Sequence, residues 1–130
     1  MKKVLIICTG NSCRSIIAEA LINNYCKNVK AFSAGSKPKG VVHPYAKKVL
    51  EEDGLWNDSL YSKSIEKFLN EKFDIVITVC DNAKESCPFF PDADKIIHLP
   101  FEDPDGKFIH EFRKLKDEMK DKLIKIFSAS

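Results

Sequence analysis

No apolar run in the 130 residues approaches the length needed to cross a membrane. Neither sign of charge dominates. Lys and Arg number 21 against 19 Asp and Glu, a net of +2 mixed along the chain, which does not suggest a nucleic-acid or membrane-surface protein. There is no internal repeat, no low-complexity tract and no linker-like stretch. The histidines, His43, His98 and His110, are scattered without ligand spacing, and no role is assigned to them. Five cysteines, an odd number, cannot form a fully paired disulfide framework. What is present is ordinary for a globular protein, 44% apolar and 31% charged residues. The length suits one domain, residues 1–130, that buries about two-thirds of its unfolded surface. The opening MKKVLIICTG resembles a signal peptide for a few residues. Its apolar run is short and leads straight into a cysteine loop, so a buried strand and a cytoplasmic location are expected. In a reducing cytoplasm, Cys8, Cys13, Cys26, Cys80 and Cys87 are more often catalytic, redox-active or metal-binding than disulfide-bonded.

The apolar pattern alternates between short runs and helical periods. Val4–Ile7, Val29–Ser33, Asp74–Val79 and Lys95–Leu99 read as strands, the first continuous and β-branched as in a strand buried on both faces. Arg14–Tyr25 reads as a helix whose Ile17, Ala20, Leu21 and Asn24 share one side. A second helix opens at His43-Pro44, runs to Asp53 and is closed by Gly54. Ser64 is a candidate N-cap for a helical stretch to Glu71. Ile109, Phe112, Leu115, Met119, Leu123 and Ile126 mark a last helix over Phe108–Phe127, its charged residues expected to face solvent. Trp56 and the phenylalanines are expected in the core, with Phe89 and Phe90 as candidate covers for the segment around Cys87. This alternation predicts an α/β fold, a four-stranded parallel sheet with helices on both faces. Ligands of such sheets bind beyond the carboxyl ends of the strands. Cys8, Cys80 and Asp103 follow strands one, three and four, so they are expected at one edge.

The stretch from Cys8 to Ser15, CTGNSCRS, carries the clearest chemistry. A thiol near its usual pKa is mostly protonated at neutral pH, and the thiolate is the nucleophile. A helix N-terminus, a guanidinium and converging N–H groups all favour the anion, and here the helix from Arg14, Arg14 itself and the Gly-Asn-Ser backbone supply them. The same groups hold a tetrahedral oxyanion, onto which Arg forks. Thr9, Gly10, Asn11, Ser12, Cys13 and Arg14 are the expected oxyanion-binding residues. Gly10 and Asn11 tolerate the left-handed angles of a tight anion nest. Ser15 is placed to donate to Cys8. Cys-x5-Arg alone is a weak motif; between a buried strand and a helix it becomes specific. Cys13 has no step of its own, and Cys26 is a bystander at a helix end.

CTGNSCRS followed by AEA resembles the active-site loop of the low-molecular-weight protein tyrosine phosphatase fold. Within it the chain is most similar to the thioredoxin-coupled arsenate reductases, through the FSAG segment at Phe32–Gly35, the two cysteines after strand three, the EDP segment and the final helix. CDNAKESCP, from Cys80 to Cys87, separates the two branches, because a phosphatase needs no cysteine pair there. A reductase must move two electrons, which successive thiols do by disulfide exchange. Two structural cysteines, or a zinc site, would also account for the pair. The Cys-x4-Cys and Cys-x6-Cys spacings do not, however, match the tight knuckles of structural zinc.

The resemblance implies a relay without a cofactor. Cys8 attacks arsenate held by Arg14 and the loop amides, and Asp103 protonates the departing oxygen, with Glu102 as its alternative. Cys80 then attacks Cys8, Cys87 attacks Cys80, and thioredoxin reduces the resulting pair. Phosphate and sulfate are expected competitors, and weak phosphatase activity is expected beside the reduction. A phosphomonoester hydrolase using Cys8, Arg14 and Asp103 is the second reading. A non-catalytic oxyanion- or zinc-binding regulator is the third. Phosphatases of this fold usually carry aromatic residues after their Asp-Pro; Asp105 and Gly106 here argue against an aromatic ester. Some relatives hold potassium beside the loop, at positions matching Asn11, Glu19 and Ser33. Lys63 aligns where their fourth, acidic ligand lies, so its ammonium is expected to replace the ion. No metal, no nucleic acid and no membrane are expected, and the chain is expected to be a monomer.

Overall fold

The computed structural model describes residues 1–80 and 92–128. Cys87, Phe89 and Phe90 lie outside the described residues. Four parallel strands form one sheet in the order β2-β1-β3-β4: β1 is Lys2–Cys8, β2 Val29–Gly35, β3 Lys72–Thr78 and β4 Asp92–His98. β1 is central. Val4 to Cys8 are at most 3% exposed, as expected of a strand covered on both faces. Its register sets Val4 beside both Ala31 and Ile75, and Cys8 beside Gly35.

One face of the sheet carries the three α-helices, α1 (Arg14–Tyr25), α2 (Pro44–Glu52) and α3 (Ile109–Ser128). The other carries a single 3₁₀ turn, Ile65–Phe68. There Phe32, Phe68 and Phe73 meet with ring centroids 5.8–6.1 Å apart, and the Lys3 ammonium lies 4.9 Å from the Phe73 ring centre. The helical stretch expected over Ser64–Glu71 is thus only four residues long. Ser64 does cap it, its hydroxyl accepting the Glu66 N–H at 3.2 Å.

The helix ends follow the sequence signals. Pro44 occupies the first turn of α2, and Gly54, with φ +70°, follows its last turn. α1 departs from the single apolar side expected of it: every residue from Arg14 to Ile22 is buried. It is wedged between the sheet, α2 and α3, so even its polar positions are enclosed. The charged residues of α3 are likewise not all solvated. Lys116 is 6% exposed; its Nζ reaches Asp53 Oδ2 at 2.5 Å and the Val49 carbonyl, beside the end of α2, at 3.4 Å. Arg113 forks onto Glu52 at 2.7 and 2.9 Å. Trp56 is half-buried, while Phe108, expected inside, is 76% exposed.

The close pairing of β1 with β2 leaves no room at Gly35. A Cβ there would lie 2.6 Å from the Thr9 carbonyl oxygen and 3.0 Å from the Asn11 nitrogen. A Cβ on Gly10 would meet only the flexible Lys39 stem, at 3.2 Å. Gly35→Ala should therefore lower stability by about 1–3 kcal/mol in urea unfolding, and Gly10→Ala by about 0.5 kcal/mol or less. Equal losses would show that backbone crowding at Gly35 is not the constraint.

Candidate active site

β1 ends at Cys8, and the loop from Thr9 to Cys13 turns the chain into α1. Three amides of the next loop grip its carbonyls. Lys37 N–H donates to Thr9 O, Lys39 N–H to Gly10 O and His43 N–H to Ser12 O, each at 2.9 Å. The Ser62 hydroxyl adds a bond to Gly10 O at 3.2 Å. With these carbonyls held from outside, the loop's N–H groups are left to the concave side, the geometry of an anion nest. Cys13, at the N-cap of α1, makes no side-chain cap hydrogen bond, so the first turn keeps its dipole for a ligand. Of the two residues expected to take left-handed angles, Asn11 does, with φ 43°; Gly10 is not in that region.

Asn11 is fully buried and organises the surroundings of the Cys8 sulfur. Its Oδ1 accepts the Lys63 N–H at 2.8 Å, and its Nδ2 donates to Ser15 Oγ at 2.7 Å. Ser15 Oγ lies 3.0 Å from Cys8 Sγ. Its hydroxyl accepts from Asn11 with one lone pair and donates to the sulfur when Cys8 is a thiolate. The Asn11 N–H donates to the same sulfur at 3.3 Å.

Cys80 approaches from beyond β3. The sheet ladder continues past the strands, with Val79 N–H on Ile7 O at 3.0 Å and Phe101 N–H on Val79 O at 3.2 Å. This brings Cys80 and the Phe101–Asp103 segment beside the loop. Cys80 Sγ accepts the Thr9 N–H at 3.0 Å. A hydrogen bond from the Cys80 thiol is the main cause that lowers the Cys8 pKa to about 6; burial opposes it, and Ser15 and Arg14 assist. The same bond, with burial, pushes the Cys80 thiol up. Between the two sulfurs the anion is thus favoured on Cys8. Cys13 is buried, and burial raises its pKa, so it stays a thiol.

Arg14 is 6% exposed, its NH1 donating to Phe101 O at 3.2 Å and its NH2 3.6 Å from Asp103 Oδ2. Cys8, Arg14 and Asp103 line one cavity of about 240 Å³ with Thr9, Gly10, Ser12 and Cys13. Glu102 lines a different depression and pairs with Lys107 at 2.6 Å. Lys37, Lys39, His43 and Asp105 also line the cavity, none of them expected there as a binding residue. A signal for them was present: the loop after β2 ends at the same sheet edge as the other three, and His43-Pro44 marks a helix start there.

Beside the loop, Lys63 is 8% exposed. Its Nζ lies 2.8 Å from Tyr61 O, 3.4 Å from Ser33 Oγ and 3.7 Å from Glu19 Oε1. The Ser33 hydroxyl donates to Glu19. Burial raises the Glu19 pKa and lowers that of Lys63, and each charge opposes the other's shift. The ammonium thus sits beside Glu19 and Ser33, two of the residues matched to the relatives' ion site. Among the described residues, no three His, Cys, Asp or Glu side chains converge as a metal site would need.

Alkylation of Cys8 by iodoacetamide, followed by peptide mass spectrometry, should rise with a midpoint near pH 6. Cys80→Ala and Ser15→Ala should each move that midpoint upward. A midpoint near 8.5 in the unaltered protein would rule out the thiolate.

The family model described as low molecular weight phosphotyrosine protein phosphatase matches residues 3–129. An arsenate reductase of Brevibacillus brevis is 37% identical over 119 residues, 91% of this chain and 88% of that one. Among solved structures, an arsenate reductase in the phosphate binding state aligns with a TM-score of 0.87 at 29% identity, over 99% of this chain and 98% of the other. A Corynebacterium glutamicum thioredoxin-dependent arsenate reductase aligns with a TM-score of 0.70 at 27% identity, over 100% of this chain and 64% of the other. From the loop at Cys8 to the last helix, the chain belongs to the low molecular weight phosphotyrosine protein phosphatase family.

Proposed function

We propose that the protein reduces arsenate to arsenite through a thiol relay recycled by thioredoxin. The observation that carries this is Cys80, whose sulfur accepts the Thr9 N–H at 3.0 Å and so stands against the loop that begins at Cys8. A phosphate ester hydrolase has no use for a second thiol against its nucleophile. The relative from Brevibacillus brevis, an arsenate reductase, and the thioredoxin-dependent neighbour support the same chemistry.

Arsenate binds in the loop of residues 9–14, on those amides not already given to the two sulfurs, and on the Arg14 guanidinium. The Cys8 thiolate attacks arsenic; an S–As bond forms, and an oxygen leaves as water with a proton from Asp103. Formation of the adduct removes the negative charge from Cys8 and with it the largest of the causes that hold Cys80 protonated, burial being the other main one. The Thr9 N–H then favours the Cys80 thiolate. Cys80 attacks Cys8 Sγ, the S–S bond forms, and the electron pair of the S–As bond stays with arsenic, which departs as arsenite. Cys87 completes the relay by forming the Cys80–Cys87 disulfide and freeing Cys8; thioredoxin takes up that disulfide. Phosphate and sulfate compete for the same cradle, having its shape and charge. The hydrolysis of phosphomonoesters by Cys8, Arg14 and Asp103 is the second reading, favoured by the family's own description.

With arsenate, thioredoxin, thioredoxin reductase and NADPH, the protein should consume NADPH. Cys8→Ser, Cys80→Ser and Cys87→Ser should each stop turnover, and Asp103→Asn should slow it by about 10²–10⁴-fold. Turnover surviving loss of Cys80 or Cys87, or phosphotyrosine turning over far faster, would replace reduction with hydrolysis. Exchanging sodium for potassium chloride should leave the rate unchanged, because the Lys63 ammonium already faces Glu19 and Ser33. A large gain with potassium would refute that.

A further inference from the structure

The Asp105 carboxylate joins three parts of the molecule at the mouth of the cavity. Oδ2 lies 3.5 Å from Lys39 Nζ, on the loop after β2. Oδ1 lies 3.2 Å from His43 Nε2, at the N-cap of α2. The His43 ring is fixed in turn. Its Nδ1 accepts the Tyr45 N–H at 3.1 Å, which leaves the ring proton on Nε2 facing Asp105. Its face packs on Phe112, centroids 4.6 Å apart. Lys39's charge, followed by the His43 hydrogen bond, keeps the Asp105 carboxyl below the usual range.

The main chain of Asp105 does something different: its N–H donates to Asp103 Oδ1 at 3.0 Å. The segment from Lys37 to His43 therefore holds both halves of the site. Its backbone amides grip the loop of the nucleophile, and its side chains grip the residue that holds the acid.

We propose that Asp105, clasped by Lys39 and His43, is a positioning residue that sets Asp103 over the oxyanion loop for proton transfer. This rests on Asp103 being the acid of the proposed reaction. An exposed ion pair alone contributes little, but a carboxylate with two partners, one of them rigidly held, restricts the loop more. Asp105 acts through Asp103, so its effect belongs on kcat and vanishes when Asp103 is gone.

The test is a double-mutant cycle of Asp103→Asn and Asp105→Asn, read in arsenate reduction and, separately, in p-nitrophenyl phosphate hydrolysis. Asp105→Asn alone should lower kcat by about fivefold or more, with KM changed less than twofold and inorganic phosphate binding, by calorimetry, no weaker. In the Asp103→Asn background it should cost nothing further. An equal cost in both backgrounds, an effect confined to KM, or no effect overturns the proposal. Hydrogen exchange supplies a readout independent of the chemistry: Asp105→Asn should speed exchange in residues 102–107 and leave residues 9–14 unchanged. Unchanged exchange at 102–107 overturns the clasp even if arsenate is reduced. Faster exchange there without arsenate turnover leaves the clasp standing and removes the reductase reading.

Discussion

The hydrogen bonds that hold the carbonyls of Thr9, Gly10 and Ser12 from outside are the constraint on which the site depends. A peptide group presents its N–H and C=O in opposite directions. Occupying these carbonyls from one side turns the N–H groups of the same peptides to the other, the arrangement in which donors can meet an oxyanion without reorganisation. Asn11 adds the sharpest turn, at φ 43°, and its side chain is satisfied at both ends by Lys63 and Ser15. The buried group around Lys63 and Glu19 is thus tied to the nucleophile, because the Lys63 N–H holds the same asparagine whose amide directs Ser15 to Cys8.

Electrostatics at the two sulfurs sets the order of the proposed relay. Burial alone would raise both thiols. The N–H and O–H donors around Cys8 decide which sulfur ionises. The Cys80 thiol is held back as long as Cys8 is an anion, so in the proposed relay the second thiol is quiet until the first has reacted. Cys13 lines the same cavity and is kept inert by burial.

Much of this was legible in the chain. α1 occupies Arg14–Tyr25 as its periodicity implied, and the four strands lie where the short apolar runs placed them. Where expectation and structure part, tertiary packing is the reason. α1 is buried all round from Arg14 to Ile22 because two helices and the sheet enclose it, although that stretch carries Arg14, Ser15 and Glu19. Lys116 and Arg113, solvent-facing by pattern, are drawn to the end of α2. His43 and Lys39 had no motif, since their roles come from meeting Asp105, which lies 62 positions beyond His43 and further still from Lys39.

By itself, the sequence determined the chemistry of single segments: a cysteine between a buried strand and a helix, an arginine at the helix start, a second cysteine after another strand. Those are local facts, set by periodicity and by which residues tolerate a tight loop. Only the tertiary structure decided on which of two sulfurs the anion is favoured, that Asp103 and not Glu102 faces the cavity, and that Lys39 and His43 meet on Asp105. Such outcomes turn on distances of a few ångströms between residues remote in the chain, and on the burial that makes those distances count.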